Sequence, residues 1–434
     1  MNISELYDIY TRHPHITTDT RDCQAGSIFI ALKGERFDGN GFAAAALEKG
    51  CAYAVIDEPE YAVEGDCRYI LTDNCLKTFQ LLAREHRRKF EIPVIGITGT
   101  NGKTTTKELV SAVLSKKYNV LCTQGNFNND VGVPKTLFRL DGTHEIAVVE
   151  MGASHPGDIK TLVEIAEPQY GIITNVGKAH LQGFGSFEGV VRTKGELYDF
   201  LRAHEGSAVF IDNGNRYLKD MAHGFDLISY GTDDDGTLRV CGRVAGCAPF
   251  LRFEWKDCKV GTWYQVQTNL IGSYNIYNML AAACIGLTFG VSPSQINEAL
   301  EGYVPGNSRS QLENTAHNHL IVDAYNANPT SMAAALENFR DMTVGPKMAI
   351  LGDMRELGAA SDVEHQRVVD FLESSGLTDT WLVGDEFGKT ETSMRKFRNA
   401  DEVGEDIRRN RPEGYYILIK GSNGVRLSGL AELL

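Results

Sequence analysis

Short apolar runs alternate with amphipathic stretches along most of this chain. In the first ninety residues, 27–31 and 52–56 have the apolar, β-branched character of strands. Residues 43–49 and 77–89 instead space their apolar side chains as a helix does. The pattern predicts a small α/β domain over residues 1–90.

The middle of the chain carries longer alternations of the same kind. The apolar run 92–98 ends in glycines and opens into a helix with Leu109, Val110 and Val113 on one face. Further strands are expected at 145–150, 170–175 and 208–212, and a buried helix at 279–291. Strands that alternate with helices are typical of a parallel, doubly wound sheet, so we predict a central domain over residues 91–304.

A third region over residues 305–434 repeats the alternation on a smaller scale. Its expected strands are 319–324, 347–352, 381–384 and 415–420, with helices between them. Asn328 followed by Pro329 predicts a helix start. Ser361 and Glu364 have the spacing of a capping box for the next helix. We therefore predict a second, Rossmann-like α/β domain.

Composition narrows the class of protein. A chain of 434 residues is too long to fold around one ordinary hydrophobic core, so several domains are expected. Its net charge of −14, without a sizeable basic patch, argues against nucleic-acid binding. Nine scattered cysteines without a C-x-x-C pair indicate reduced thiols, and neither a secretion signal nor a membrane span is apparent. We expect a cytoplasmic monomer that is not inserted in a membrane.

A glycine-rich loop between a predicted strand and a predicted helix is the strongest local motif. Such a loop turns backbone N–H groups and a helix N-terminus toward phosphates. Lys103 is placed to reach the β- and γ-phosphates, and Thr104 to offer its hydroxyl to Mg²⁺. The strict phosphate-loop pattern fails at Ile97, and nucleotide binding alone does not separate a kinase, a GTPase and a ligase. The expected nucleotide contacts in this loop are Gly99, Thr100, Asn101, Gly102, Lys103, Thr104 and Thr105.

Several motifs in a fixed order carry a family resemblance. The run TGTNGKTT at 98–105 resembles the phosphate loop of the Mur ligases and folylpolyglutamate synthases, and 123–134, 150–154, 174–180 and 194–196 match the family in order. DAYNANPTSM at 323–332 and LGDMRELG at 351–358 resemble the family member that adds D-alanyl-D-alanine to a UDP-muramoyl tripeptide. Residues 18–21 and 31–39 are similar to its UDP-binding domain, with Thr20 where the family usually has Ser.

The resemblance implies an ATP-dependent amide ligase with UDP-N-acetylmuramoyl tripeptide and D-alanyl-D-alanine as substrates. A carboxylate must first become a leaving group, which transfer of the γ-phosphoryl group from ATP achieves by forming an acyl phosphate. The amine then displaces phosphate. Holding a carboxylate beside a triphosphate requires Mg²⁺, Lys and Arg to neutralise them.

The resemblance also implies a role for individual side chains. Glu150, at a predicted strand end, and Thr104 are expected to hold one Mg²⁺. His180 and a carbamylated Lys194 are expected at a second Mg²⁺, and Lys103 and Arg309 at the phosphates. Carbamylation needs a neutral amine, so burial or a nearby cation must lower the lysine pKa.

The remaining implied contacts divide among three ligands. The nucleotide is expected to contact Asn275, Asn278, Arg309, Asp323, Tyr325 and Asn326, although the family more often has His where Tyr274 stands. The UDP group is expected near Thr20, Arg21, Asp38 and Gly39, and the muramoyl tripeptide near Asn126, Asn128 and Asn129.

Other functions stay open from the sequence. A different Mur-type or folylpolyglutamate-type ligase would share the central motifs, but the 323–332 segment and the UDP-type first region disfavour it. A nucleotide-binding regulatory protein without catalysis would be expected to lack Glu150, His180 or Lys194, and all three are present. A kinase is the remaining alternative, and it would release a phosphorylated product without an amine.

Overall fold

The computed structural model describes residues 1–306 and 309–434, so Asn307 and Ser308, within the segment that carries Arg309, lie outside the described residues. Three separate sheets are the main features, and helices pack on each of them. The predicted three-part α/β class is confirmed.

The first region is built on a four-stranded parallel sheet in the order β1-β2-β5-β6. Its central strands are buried through Phe29, Ile30 and Val55, because helices cover the sheet. The elements are α1 (Ile3–Arg12), β1 (Ile16–Thr17), β2 (Ile28–Ile30), β3 (Lys33–Gly34), β4 (Phe37–Asp38), α2 (Ala43–Glu48), β5 (Tyr53–Ile56), β6 (Tyr69–Leu71) and α3 (Cys75–Arg87).

The central region holds a nine-stranded sheet in the order β15-β14-β13-β12-β11-β10-β7-β9-β8. Apolar side chains fill both of its faces. Its elements are β7 (Val94–Thr98), α4 (Lys103–Leu114), β8 (Val120–Cys122), α5 (Gly132–Leu137), β9 (Ile146–Glu150), α6 (Asp158–Ala166), β10 (Tyr170–Ile173), α7 (Leu181–Phe184), α8 (Phe187–Arg202), β11 (Ala208–Asp212), α9 (Arg216–Met221), β12 (Leu227–Gly231), β13 (Val240–Cys247), β14 (Phe250–Asp257), β15 (Trp263–Ile271), α10 (Ile276–Thr288) and α11 (Pro293–Gly302).

The parallel central sheet that the sequence predicts is only part of the observed one. Strands β13, β14 and β15 form an antiparallel extension that the sequence analysis missed. In β14 the buried side chains alternate, at Leu251, Phe253 and Trp255, as they do when one face of an antiparallel sheet is exposed. The expected buried helix at 279–291 is α10, which begins a few residues earlier and ends before the left-handed Gly290.

The third region is a six-stranded sheet in the order β16-β17-β21-β18-β19-β20, parallel except for β16. Apolar layers cover both of its faces. Its elements are β16 (Gln311–Asn314), β17 (His319–Asp323), α12 (Pro329–Asp341), β18 (Lys347–Gly352), α13 (Ser361–Ser374), β19 (Thr380–Val383), α14 (Asp385–Gly388), β20 (Arg395–Phe397), α15 (Ala400–Arg409) and β21 (Tyr416–Lys420).

The two helix starts predicted in the third region have different outcomes. Asn328 caps α12, with its side chain accepting a hydrogen bond from the Ser331 N–H, so that prediction is confirmed. The capping box of Ser361 and Glu364 is wrong, because α13 begins at Ser361 itself. Both side chains instead contact residues that are distant in the chain. The Ser361 hydroxyl donates to Glu386, and the Glu364 carboxylate pairs with Lys178.

Two expectations from composition concern the whole chain. All nine cysteines are unpaired. Within the part of the chain that the structure describes, every helix is too short or too polar to cross a bilayer.

Candidate functional site

A cavity of about 1320 Å³ lies where the carboxyl ends of the central strands face the third region. Parallel sheets collect ligands at this edge, because loops and helix N-termini converge there. Helix α3 of the first region reaches the same cavity with Leu76 and Gln80. Side chains from all three sheets and their helices therefore surround one space.

The phosphate loop follows β7 and leads into α4. Gly99 and Gly102 both have positive φ, at 140° and 78°. A Cβ at Gly99 would lie 2.0 Å from the Thr174 hydroxyl, so this turn requires glycine. The Lys103 ammonium folds back onto the loop and donates to the carbonyls of Gly99 and Thr100, at 2.9 and 3.0 Å. Burial lowers the Lys103 pKa, and the Arg309 charge lowers it further.

Glu150 ends β9 beside this loop and is almost fully buried. Its Oε1 accepts hydrogen bonds from the Thr104 hydroxyl at 3.0 Å and from the Asn128 amide at 2.9 Å. Its Oε2 is buried and has no hydrogen-bond partner among the described residues. A buried carboxylate oxygen without a partner is costly, and a hard divalent cation would satisfy it. The donor set of Glu150 and Thr104 therefore fits Mg²⁺.

His180 adopts the left-handed conformation, with φ of 49°, immediately before α7. Its Nδ1 contacts the carboxylate of Glu356, which comes from the third region and is itself left-handed at φ 64°. Burial lowers the His180 pKa despite the opposing effect of Glu356. Within the described ranges, no three His, Cys, Asp or Glu side chains form a ready metal cage, so a second metal would need another kind of ligand near His180.

Lys194 lies on α8 and is 2% exposed. Burial holds its pKa well below the ordinary value, and the nearby Lys103 charge adds to the effect. Its ammonium lies over the Phe184 ring, 5.6 Å from the centroid, and none of the ion pairs found among residues 1–306 and 309–434 includes it. Lys194 is thus a buried lysine with a lowered pKa that does not line the cavity.

The third region contributes cations and a carboxylate to the cavity. The Arg309 guanidinium stacks on the Tyr325 ring at 4.1 Å, and its Nε is buried without a hydrogen-bond partner in the described structure. Lys420 lies at the end of β21, and Asp323 lies at the end of the neighbouring strand β17. The Lys420 ammonium donates to the Asp323 carboxylate at 2.5 Å. The sequence analysis missed Lys420, although the ends of neighbouring parallel strands are where such a pair would be sought.

The polar side chains near α10 also reach the cavity, but they bind one another. The Asn278 amide donates to Asn275 at 2.8 Å and accepts from the Thr106 hydroxyl at 3.1 Å. Asn275 in turn donates to the Ile271 carbonyl. Tyr274, where the family more often has His, places its hydroxyl 3.0 Å from the Ser310 hydroxyl. Tyr274, Asn275 and Asn278 line the cavity, and of these contacts only the one between Tyr274 and Ser310 joins the central region to the third.

The structure brings most of the predicted residues together, but not those assigned to UDP. Arg21 is turned to solvent and pairs with Asp19, while Asp38 accepts from Asn40. Among the predicted residues, the cavity is lined by Thr100, Asn101, Gly102, Lys103, Thr104, Thr105, Asn126, Asn128, Asn129, Glu150, His180, Asn275, Asn278, Arg309, Asp323, Tyr325 and Asn326. It is not lined by Thr20, Arg21, Asp38, Gly39, Gly99 or Lys194.

Several cavity residues were not predicted. They follow strands β9, β11 and β12, so the rule that ligands gather at strand ends was the signal that could have found them. They include Ser154, His155, Asp158, Asp212, Gly214, Asn215, Arg216, Tyr217, Thr232 and Asp233.

Family models match three consecutive parts of the chain. Residues 14–88 match the catalytic domain of the Mur ligase family, residues 97–286 the Mur ligase middle domain, and residues 308–422 the Mur ligase, glutamate ligase domain. The chain is similar to UDP-N-acetylmuramoyl-tripeptide--D-alanyl-D-alanine ligase of Bacillus subtilis, at 33% identity over 96% of this chain and 92% of that protein. The Escherichia coli protein of the same name is 35% identical over 85% of this chain and 81% of its own length.

Solved structures give the same result. The crystal structure of MurF from Acinetobacter baumannii superposes with a TM-score of 0.87 and 30% identity, and the match covers 96% of this chain and 93% of that one. The MurF ligase of Thermotoga maritima, solved in complex with ADP, superposes with a TM-score of 0.86 and 25% identity, covering 96% of each chain.

Proposed function

Because the chain belongs to the Mur ligase family, we propose that it joins D-alanyl-D-alanine to UDP-N-acetylmuramoyl tripeptide in peptidoglycan synthesis, at the expense of ATP. The single observation that carries this proposal is the cluster of Lys103, Thr104 and Glu150 at the end of the central sheet, faced by Arg309 from the third region. Such a cluster gathers the charges that a triphosphate and a carboxylate need in order to meet.

The phosphate loop and Arg309 hold the triphosphate in this proposal. Lys103 exchanges its contacts with the loop carbonyls for phosphate oxygens, and Arg309 has a buried Nε free to donate to the γ-phosphate. A bound Mg²⁺ would neutralise the β- and γ-oxygens, with Glu150 and Thr104 as its protein ligands. The acceptor carboxylate then attacks the γ-phosphorus, ADP leaves, and the acyl phosphate forms.

The amine of D-alanyl-D-alanine attacks the acyl phosphate, and phosphate leaves as the amide forms. The acceptor tripeptide enters from the side of Asn126, Asn128 and Asn129, which line the cavity next to α3 of the first region. Thr20, Arg21, Asp38 and Gly39 keep their proposed role at the UDP group, outside the cavity. Asn275, Asn278, Asp323, Tyr325 and Asn326 line the side assigned to the nucleoside.

Lys194 is proposed to act as a carbamate. Only a neutral amine adds CO₂, and burial holds the Lys194 pKa well below its usual value, which supports that chemistry. The product is an anion on a residue that otherwise lacks an ion-pair partner in the described structure. The carbamate would supply negative charge for a second Mg²⁺, and His180 would supply an uncharged nitrogen ligand.

The proposal includes an organisation and a location. Domain boundaries are proposed at residues 90 and 304, in a monomer that acts in the cytoplasm, where ATP is available. Each sheet has an apolar core of its own, which supports three folding units.

The proposed function is tested by following phosphate release from ATP while one substrate is omitted at a time. Release is expected only when Mg²⁺, UDP-N-acetylmuramoyl tripeptide and D-alanyl-D-alanine are all present. Single amino acids offered in place of D-alanyl-D-alanine should give no amide. Folates offered in place of the UDP-N-acetylmuramoyl tripeptide should give none either. Equal phosphate release from ATP alone would indicate a simple ATPase and would contradict the proposal.

A further inference from the structure

Asn328 makes two contacts that belong to different regions of the molecule. Its side-chain Oδ1 accepts a hydrogen bond from the Ser331 N–H at 2.9 Å, which caps α12. Its Nδ2 donates to Oδ1 of Asn101, in the phosphate loop, at 2.7 Å. The side chain is buried, and the two residues are 227 positions apart in the chain. One amide therefore joins a helix cap in the third region to the phosphate loop of the central region.

The orientation of both amides follows from the cap. A backbone N–H can only donate, so the Asn328 atom that faces Ser331 must be its oxygen. The atom that faces Asn101 is then the Asn328 nitrogen, and Asn101 must offer an oxygen in return. A second, longer contact runs from the Asn101 Nδ2 to the Asn328 Oδ1 at 3.4 Å. The pair is specific because exchanging nitrogen and oxygen on Asn328 would cost the cap.

The backbone of Asn101 is already committed within the central region. Its N–H donates to the Asn175 side chain at 3.0 Å, and its carbonyl accepts from Asn175 at 3.0 Å and from Thr174 at 2.6 Å. Only the side chain of Asn101 is therefore available to contact another region. Its partner there is Asn328.

The surroundings of this pair are tightly packed. A Cβ placed on Gly177 would lie 2.8 Å from the Thr330 hydroxyl, so the first turn of α12 presses on the loop after β10. The same Gly177 N–H donates to the hydroxyl of Thr100, in the phosphate loop, at 3.0 Å. The phosphate loop, the β10 loop and the start of α12 thus meet in one three-way contact.

From this geometry we infer that Asn328 is a positioning residue that couples docking of the third region to the shape of the phosphate loop. The inference rests on the proposed function for its meaning in catalysis, because it concerns the loop that is assigned to the triphosphate. When the third region undocks, Asn101 loses its side-chain partner, and the loop that precedes Lys103 is held from the central region alone. When the region docks, the Asn328 hydrogen bond fixes the loop at the same time as Arg309 enters the cavity.

The test uses full-length variants chosen to separate the cap from the coupling. Asn328→Ser keeps a good N-cap but is too short to reach Asn101. Asn101→Ala removes the other partner and leaves α12 intact. Asn399→Ser is the matched control, because Asn399 caps α15 in the same region through the Glu402 N–H, follows the edge strand β20 and does not line the cavity.

Hydrogen exchange followed by mass spectrometry is the first readout, in the protein with a non-hydrolysable ATP analogue. Each single variant is expected to speed exchange in both segments, 99–106 and 327–334, by about 2- to 12-fold, the range that a net hydrogen bond provides. The double variant should be no faster than either single one, because one interaction is removed only once. If Asn328→Ser speeds exchange in 327–334 alone, or if the effects of the two variants multiply, the coupling is refuted.

Steady-state kinetics are the second readout and exclude a direct contact with substrate. Both single variants should lower kcat by a similar factor, within the same 2- to 12-fold range, while KM for the dipeptide stays unchanged. Asn399→Ser should leave kcat unchanged. A raised dipeptide KM in Asn328→Ser alone would mean that Asn328 contacts the dipeptide, which overturns the inference. Absence of turnover in the unmodified protein would refute the proposed function, and hydrogen exchange would still decide the coupling.

Discussion

The central and third regions are both α/β sheets that present strand ends to one cavity. They differ in whether their site residues lie beside the phosphate loop without help from another region. In the central region, Glu150 is fixed by Thr104 and Asn128, which belong to the same region. In the third region, Arg309 and Asp323 are held within that region, and they face the phosphate loop only while the two regions are docked. We therefore propose that the phosphate and metal site is preorganised, whereas docking of the third region brings in the charges that complete it.

The largest expected effect comes from breaking the preorganised side. Glu150→Gln keeps the size and the acceptor for Thr104 but removes the negative charge that the proposed Mg²⁺ needs. We expect kcat/KM to fall by about 1000-fold, the size of loss typical when one electrostatic stabiliser of a transition state is removed. The measurement is phosphate release at saturating Mg²⁺.

A matched variant makes that result specific. Glu298→Gln removes an exposed carboxylate of the same region, whose one ion pair within residues 1–306 and 309–434 is with Lys116 at the surface. It should leave the rate within twofold, since exposed pairs contribute about 0 to 1 kcal/mol. Near-normal activity of Glu150→Gln would show that the cation is held elsewhere.

The second effect concerns Lys194, which is buried and does not line the cavity. Lys194→Ala should lower turnover by about 100-fold, the upper range for a residue that supports a metal ligand. Acetate or formate, added at millimolar concentration, is expected to restore part of the activity by entering the vacated space as an anion. Lys194→Arg should not be restored, because it keeps a cation and fills the space. Full activity of Lys194→Ala in CO₂-depleted buffer would leave the carbamate without support.

The smallest effect tests the docked side of the comparison. Glu364, in the third region, accepts from Lys178 of the central region at 2.8 Å. Glu364→Gln weakens that pair, and since Lys178 is half exposed, we expect only a two- to fivefold drop in kcat, corresponding to about 0.4 to 1 kcal/mol. The drop should shrink when the ionic strength is raised, because salt screens the ion pair of the unmodified protein. The radius of gyration with bound ligands should rise.

Asp370→Asn is the control for that experiment. Asp370 lies on the same helix α13, is exposed and, within the described residues, accepts a side-chain hydrogen bond only from Gln366, so its variant should match the unmodified protein. A drop as large as that of Glu364→Gln would mean that the helix, rather than the contact between regions, is responsible.

The sequence predicted the site best where a recognisable motif and a candidate ligand residue lie at the carboxyl ends of neighbouring strands. Thr104 lies in the first turn of α4, after β7, and Glu150 is the last residue of β9, which pairs with β7. Their contact therefore follows from the order of strands in a parallel sheet. The Asn328 cap was predicted because a cap is a local signal. Its second partner, Asn101, was not, because no local pattern reports a contact between residues that far apart in the chain.

Two of the failures are contacts between residues distant in the chain, and one is a local pattern that was overlooked. The capping-box prediction for Ser361 and Glu364 was wrong because both side chains bind residues distant in the chain. Ser361 donates to Glu386, and Glu364 accepts from Lys178. The antiparallel extension was missed although Leu251, Phe253 and Trp255 alternate along β14. The contact of His180 with Glu356 joins two left-handed residues from different regions, and only the packed structure brings them together.

The central claim, amide formation through an acyl phosphate, is tested most directly by following oxygen. UDP-N-acetylmuramoyl tripeptide labelled with ¹⁸O at both oxygens of its terminal carboxylate is incubated with ATP, Mg²⁺, D-alanyl-D-alanine and the protein, and the products are analysed by mass spectrometry. Attack of that carboxylate on the γ-phosphorus moves one of its oxygens into the phosphate that the amine later displaces. The account predicts one ¹⁸O atom in each released phosphate, together with the pentapeptide product. Pentapeptide formed alongside phosphate without label would contradict it.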